Sequence, residues 1–299
     1  MSEAIQHLGL APGIHYNVSE ADYHADLLCD RPTLSRSEAK VLLTQSPLHL
    51  WSKHPRLHAV GAPKKVTKVM DFGSGAHAIA LGKGADIVTV EADDWKTKAA
   101  REARDAIREQ GKTPMLQREK DEADVVVTAL RMRLKEFSLD EKFNAARSEV
   151  VLLWDEGPHC SCRVMADKLF IDEATGSAHF FDVKFTEDAN PEWLPRQFDN
   201  MGYALQDQWY IHGLEQVFPR LSGRITFTFL LQETSYPYVM VPVRLGGEFR
   251  TVNISKVMRA IKKWSQCMEN NRWPGYTKEI LELEAPPWLL AKEIGAPAS

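Results

Sequence analysis

Residues 179–185 read His-Phe-Phe-Asp-Val-Lys-Phe. Aromatic and β-branched residues dominate the run, which is the composition of a strand. Side chains alternate faces along a strand, so Asp182 and Lys184 project from one face and Val183 from the other. Phe180 shares the face of Asp182, so the acidic face is not uniformly polar. The flanking apolar residues predict that the strand is buried on at least one face. On an exposed edge the same Asp-x-Lys triplet is normally a solvated ion pair of little consequence. Within an apolar strand it calls for a further explanation.

The reading extends upstream. Glu149–Trp154 (EVVLLW) predicts one strand and Cys160–Asp167 a second, with Lys168–Ile171 as its candidate continuation. Gly176 marks a turn into the third. Asp167 falls near the end of its strand, where a short turn brings it beside Asp182. Two neighbouring carboxylates repel and favour a hard cation between them. Oxygen ligands completed by water suit Mg²⁺ or Mn²⁺. Such an ion polarises a phosphodiester and makes a nearby water more acidic. A lysine on the same face orients that water and stabilises charge developing on the phosphate. Asp167, Asp182 and Lys184 are therefore candidates for metal-assisted phosphodiester hydrolysis. Glu149 opens the strand before Asp167 and reads either as a solvated strand-end acid or as a further member of the site.

Helices are predicted on both sides of this meander. Downstream, Phe198–Val217 is helical, and Gln206 and Tyr210 share one of its faces at i and i+4. They read either as a surface pair or as polar tips at the site. Strands at Ile225–Leu231 and Tyr238–Val243 and an amphipathic helix at Phe249–Asn271 follow. Upstream, Ser35 with Glu38 ahead of Ala39, Val41 and Leu42 is a capping box that starts a helix. Pro47 ends or interrupts it, and a basic, His-containing loop runs from Lys53 to Lys68. Val69–Leu81 is a second helix carrying Gly73 and His77; the imidazole is a packed residue or a metal ligand. Ile87–Glu91 reads as a short strand. Trp95–Glu109 and Glu119–Glu136 read as a charged surface pair of helices separated by Gly111 and Pro114. The tail from Pro286 is expected to be loosely held. The order predicts an α/β fold, a central mixed sheet flanked by helices. One domain is expected over residues 1–299, with a helical N-terminal half (1–145) packed on a core sheet (146–275) and a tail at 286–299.

Composition narrows the class. The chain has 299 residues, 44% hydrophobic and 26% charged, which is ordinary for a globular protein. Its net charge of −4 places any contact with nucleic acid in a local basic groove rather than in the overall balance. Lys64, Lys65, Lys68, Arg131, Arg133, Lys262 and Lys263 are scattered and trace no such groove. The four cysteines (Cys29, Cys160, Cys162 and Cys267) lack C-x-x-C spacing and read as reduced thiols. No leader is evident, and no run approaches the roughly 18 apolar residues of a membrane helix, so a cytoplasmic location without a membrane partner is expected. No Gly-rich phosphate loop at a strand end leads into a helix, which argues against a small-molecule enzyme of α/β type.

Four elements in order carry a resemblance: Gly73 with His77 on a helix, Asp167 on a strand, Asp182 with Lys184 on the next, and Gln206 with Tyr210 on the following helix. The series resembles the RecB-like branch of PD-(D/E)XK nucleases, and within it the RecE-type exodeoxyribonuclease VIII catalytic domain. The segments Leu34–Pro55 and Tyr203–Leu214 add to the likeness, which runs from about His15 to about Trp273. Relatives with an iron–sulfur cysteine pattern are disfavoured by the cysteine spacing. The resemblance implies the restriction-endonuclease-like core fold and an exonuclease that digests the 5′ strand of a linear duplex, leaving a 3′ overhang for a RecT-like annealing protein. It implies a homo-oligomeric ring, a tetramer, around DNA. It implies Mg²⁺, replaceable by Mn²⁺, on Asp167, Asp182 and the Val183 carbonyl, with His77 and Glu149 assisting. Lys184 would position the attacking water, and Gln206 and Tyr210 would support the site. Ser35, Arg36 and Ser37 would contact the DNA strand at a helix N-terminus, where phosphate is favoured. Two other readings share the core: an endonuclease of restriction or junction type, and a non-catalytic DNA-binding relative. The presence of every proposed catalytic side chain speaks against the second.

Overall fold

The strands read around residues 149–185 form one antiparallel meander at the centre of the molecule. The computed structural model describes residues 6–57, 68–82 and 87–294. Its elements run β1 (Gly13–His15), α1 (Glu20–His24), β2 (Thr33–Ser35), α2 (Arg36–Thr44), α3 (Pro47–Lys53), α4 (Lys68–Leu81), β3 (Ile87–Val90), α5 (Lys98–Glu109), β4 (Thr113–Leu116) and α6 (Gln117–Glu136). There follow α7 (Asp140–Ala145), β5 (Arg147–Asp155), β6 (Ser161–Asp172), β7 (Ser177–Thr186), α8 (Leu194–Met201), α9 (Tyr203–Val217), β8 (Ile225–Glu233), β9 (Met240–Val243), α10 (Gly247–Asn270) and α11 (Pro287–Ile294).

The main sheet is mixed, in the order β1-β5-β6-β7-β8-β9, with β2 added in parallel to β6. β7 and β8 run parallel across the α8–α9 crossover, as a helical connection requires. Alternation along β7 divides the core. Phe180 joins Trp154, Phe227 and Phe229 on the face covered by α2, α9 and α10. Phe181 and Val183 lie on the other face with Leu81, Leu130, Leu134 and Phe143 from α4, α6 and α7. Burial on both faces explains why EVVLLW and HFFDVKF are nearly continuous apolar runs.

Several elements differ from the sequence reading. The N-terminal half is not purely helical, because β1 pairs with β5 and β2 with β6. Three-residue strands carry too few positions for a visible period. Pro47 begins α3 rather than merely ending α2, since its fixed φ and missing N–H suit the first helical turn. β4 contains Pro114, read above as punctuation, and pairs in parallel with β3. α6 is a core helix that buries Val126, Val127, Leu130 and Leu134, its apolar stripe masked by the charges of its outer face. The helix expected over 198–217 breaks at Gly202, whose φ of +76° favours glycine. The tail forms α11, with Trp288 exposed. Residues 58–67 of the predicted basic loop, with Lys64 and Lys65, lie outside the described residues, as do 295–299 of the tail.

All four cysteines are buried and free, with Cys160 and Cys162 sulfurs 3.5 Å apart. Among the described residues no helix is long and apolar enough to cross a membrane.

α9 approaches β5 closely where Gly213 meets Trp154. A Cβ at Gly213 would stand 2.7 Å from the buried Trp154 ring. Gly213→Ala is therefore expected to destabilise the fold by about 1–3 kcal/mol despite the better helix propensity of alanine. A denaturant midpoint measurement checks this.

Candidate active site

The site forms where two strands part. The β6–β7 ladder runs from Asp172↔Ser177 to Lys168↔Phe181 and stops. The next positions in register are Asp167 and Asp182, so the two acids face each other across the opening fork. Beyond the fork, the edge of β6 that β7 has left is taken by β2, from Ser161 to Arg163. Asp167 is thus mid-strand in β6, not near its end as the sequence suggested. What ends at Asp167 is the pairing with β7.

Both acids are tied down. Asp167 Oδ2 accepts hydrogen bonds from His77 Nε2 at 2.8 Å and from the Val183 N–H at 3.0 Å. An extended residue carries its N–H and C=O on the same strand edge, so the Val183 carbonyl also faces the fork. Asp182 Oδ1 accepts a short hydrogen bond from Gln206 Nε2. Asp182 Oδ2 lies 2.5 Å from Lys184 Nζ as an ion pair, and no other donor among the described residues reaches this buried oxygen.

Charge and burial compete at each group. Burial pushes the Asp182 carboxyl above its usual range, against the pull of Lys184 and with the push of Asp167. Burial also opposes charge on Asp167, but the His77 imidazolium and its hydrogen bond hold that carboxyl low. Burial disfavours the His77 cation, yet Asp167 outweighs it and raises His77 from 6.5 to about 9. A raised histidine stabilises the fold fully below its unfolded value and loses that contribution as pH rises through its folded value. The metal-free protein is therefore expected to lose stability between about pH 6.5 and pH 9. Denaturant midpoints in chelator across this range test the slope, which His77→Ala should flatten.

The remaining predicted residues gather around the same point. Ser148 pairs with Lys168 and Val150 with Ala166, so Glu149 stands opposite Asp167 on β5. Glu149 is buried and left-handed, with φ +51°. Such strain in a non-glycine residue persists only where its surroundings hold it. Glu149, Asp167, His77, Tyr210, Ser35, Arg36 and Ser37 all line one cleft of about 710 Å³. Tyr210 is held away from bulk solvent, its hydroxyl donating to the Met165 carbonyl at 3.0 Å. This bond clamps α9 onto β6. Ser35 caps α2 with the predicted capping box, its hydroxyl accepting from the Glu38 N–H while the Glu38 carboxylate accepts from the Ser35 N–H.

One wall of the cleft escaped the sequence reading. Arg163 on β6 is buried and binds Glu38 at 2.9 Å, Thr33 Oγ1 at 2.7 Å and Asp26 at 3.1 Å. His54 joins this cluster, its Nε2–H donating to the Thr33 carbonyl at 3.1 Å. The network locks residues 26–54 against the strand that carries Asp167. Its members are widely separated in sequence and form no motif. Tyr23, His24 and Lys53 reach the cleft on this wall.

Residues 43–284, most of the chain, match the family described as PDDEXK-like domain of unknown function (DUF3799). The chain belongs to this PDDEXK-like family. The family match spans His77, Glu149, Asp167, Asp182, Lys184, Gln206 and Tyr210, and begins after Ser35–Ser37. The PDDEXK-like fold is also that of a crystallised protein from Eubacterium rectale named for a suspected exonuclease activity. The two align over 94% of this chain and 100% of that one, at 11% identity and a TM-score of 0.57. A phage-related exonuclease from Haemophilus somnus 129PT aligns over 80% of this chain and 96% of its own, at 12% identity and a TM-score of 0.31. No protein of curated function matches the sequence.

PDDEXK-like nucleases generally depend on a divalent metal, and the donor set here fits one. Among the described residues no group of three or more His, Cys, Asp or Glu is gathered into a ready-made metal cage. Two carboxylates and a backbone carbonyl leave the other positions to water, which is how Mg²⁺ is commonly held. The buried Asp182 Oδ2, with no hydrogen-bond partner among the described residues, is an oxygen donor that fits such an ion. Lys184 and His77 bring positive charge to the same two carboxylates.

Proposed function

We propose that this chain is a metal-dependent exodeoxyribonuclease that hydrolyses the 5′ strand from the ends of linear duplex DNA and leaves a 3′ single strand. The observation that carries the reading is the meeting of Asp167, Asp182, Lys184 and His77 at the β6–β7 fork, with Asp167 and His77 on the wall of a cleft. That combination matches the needs of phosphodiester hydrolysis.

Asp167, Asp182 and the Val183 carbonyl would hold Mg²⁺, or Mn²⁺ in its place. When bound, the ion polarises the phosphodiester and acidifies an adjacent water. His77 must release its proton to serve as a ligand. Lys184 leaves Asp182 to hold the attacking water and to stabilise charge on the phosphate. Glu149 assists from the neighbouring strand. Gln206 fixes the Asp182 carboxylate, and Tyr210 fixes α9 on β6. Ser35, Arg36 and Ser37 place phosphates of the strand at the start of α2.

The finer parts of the reading are supported by the RecE-type segments Leu34–Pro55 and Tyr203–Leu214. These are the preference for a 5′ end, a ring-shaped tetramer in the cytoplasm and hand-over of the overhang to a RecT-like annealing protein in recombination. The test is digestion of a linear duplex labelled at the 5′ or the 3′ end, beside a covalently closed circle. Mg²⁺-dependent release of the 5′ label with an intact circle is expected. Cutting of the circle would move the assignment to an endonuclease, and no cutting with Mg²⁺ or Mn²⁺ would favour a DNA-binding relative.

A further inference from the structure

Arg36 and Asp182 are linked through a single side chain. Arg36 is the first residue of α2 and lines the cleft. Its Nη2 donates to Gln206 Oε1 at 3.0 Å, and Gln206 Nε2 in turn donates to Asp182 Oδ1. Chemistry leaves this amide one orientation: a guanidinium only donates and a carboxylate only accepts, so oxygen must face Arg36 and nitrogen must face Asp182. Gln206 is 1% exposed, and burial of the amide strengthens both bonds. Glutamate could not replace it without placing a second negative charge against Asp182.

We infer that Arg36 is a positioning residue that orients the metal-binding carboxylate of Asp182 through the Gln206 amide, which couples occupancy of the DNA cleft to metal binding. The inference rests on the nuclease reading above. With Arg36 in place, the amide is held at both ends and Asp182 is presented in one rotamer. A phosphate drawn to Arg36 sets the same guanidinium that sets Gln206. By linkage, a strand that tightens metal binding is itself bound more tightly by the same factor when metal is present.

Mn²⁺ titration by calorimetry, on the full chain without DNA, isolates this role from any contact Arg36 makes with a strand. Simple electrostatics and positioning have opposite signs here. Loss of a nearby positive charge should tighten Mn²⁺ binding, whereas loss of a positioning contact should weaken it. Gln206→Met is expected to weaken Mn²⁺ binding about tenfold, as loss of an outer-shell partner does. Arg36→Met should weaken it about threefold or more, and the double variant no further than Gln206→Met alone, because both act on one contact. Arg36→Lys keeps a donor for Gln206 Oε1 and should recover most of the affinity. It also serves as the working variant if Arg36→Met proves unfolded by circular dichroism. Arg36→Met binding Mn²⁺ as tightly as wild type or more so, Arg36→Lys binding no better than Arg36→Met, or losses that multiply in the double variant, would overturn the inference. Wild-type protein that takes up no Mn²⁺ would overturn the nuclease reading beneath it, and that result precedes any variant.

Discussion

Asp182→Asn is expected to reduce DNA cleavage by at least about a hundredfold while leaving the metal-free protein as stable as wild type, or more so. The two effects share one cause. Asp182 is 1% exposed, and burial pushes its carboxyl above the usual range, so its charge is costly to keep in the fold. Asparagine retains an oxygen for Gln206 Nε2 and removes that charge. Lys184 is 21% exposed and turns toward water or Asp167 without its partner. The charge removed is the fully buried one, while the charge left behind reaches solvent, so the usual cost of breaking a buried pair is offset by the relief of desolvation. A lowered cleavage rate with an unchanged or raised melting temperature in chelator is the signature to measure. A clear drop in that temperature would show that Asp182 serves the fold rather than the chemistry.

Lys184→Ala is expected to lose cleavage as completely, with the opposite effect on stability. It leaves the buried Asp182 carboxylate without its cationic partner. Stranding one member of a buried pair costs about 3–5 kcal/mol, reduced here because Lys184 is partly exposed and Asp182 can take up a proton. Mn²⁺ should restore much of the loss, since a cation again stands against the carboxylates and binding adds to the folding free energy. Melting in chelator and in Mn²⁺, beside a cleavage assay, separates the outcomes. A variant that cut DNA at the wild-type rate would remove Lys184 from the mechanism.

Much of the site was readable in the chain because its signals are local. The faces of residues 179–185 follow from alternation alone, and Phe180 and Phe181 do enter opposite cores. The capping box of Ser35 and Glu38 spans three residues and forms as read. Gln206 and Tyr210 share a helix face because of their spacing, and both turn toward β6 and β7. By contrast, the core role of α6 was hidden by its charged outer face, and the break at Gly202 by the apolar continuity of residues 198–217.

What the sequence by itself determined is therefore the set of chemical groups and the element that carries each, since strand alternation, helix spacing and capping are properties of neighbours in the chain. The tertiary structure alone decided where those groups meet. At the β6–β7 fork, β2, over a hundred residues earlier in the chain, takes the edge of β6 that β7 leaves. The Arg163 cluster and the Arg36–Gln206–Asp182 link likewise join residues from distant segments. Hydrogen bonds and ion pairs depend on distance in space, and long-range pairing leaves no period in the chain that makes it.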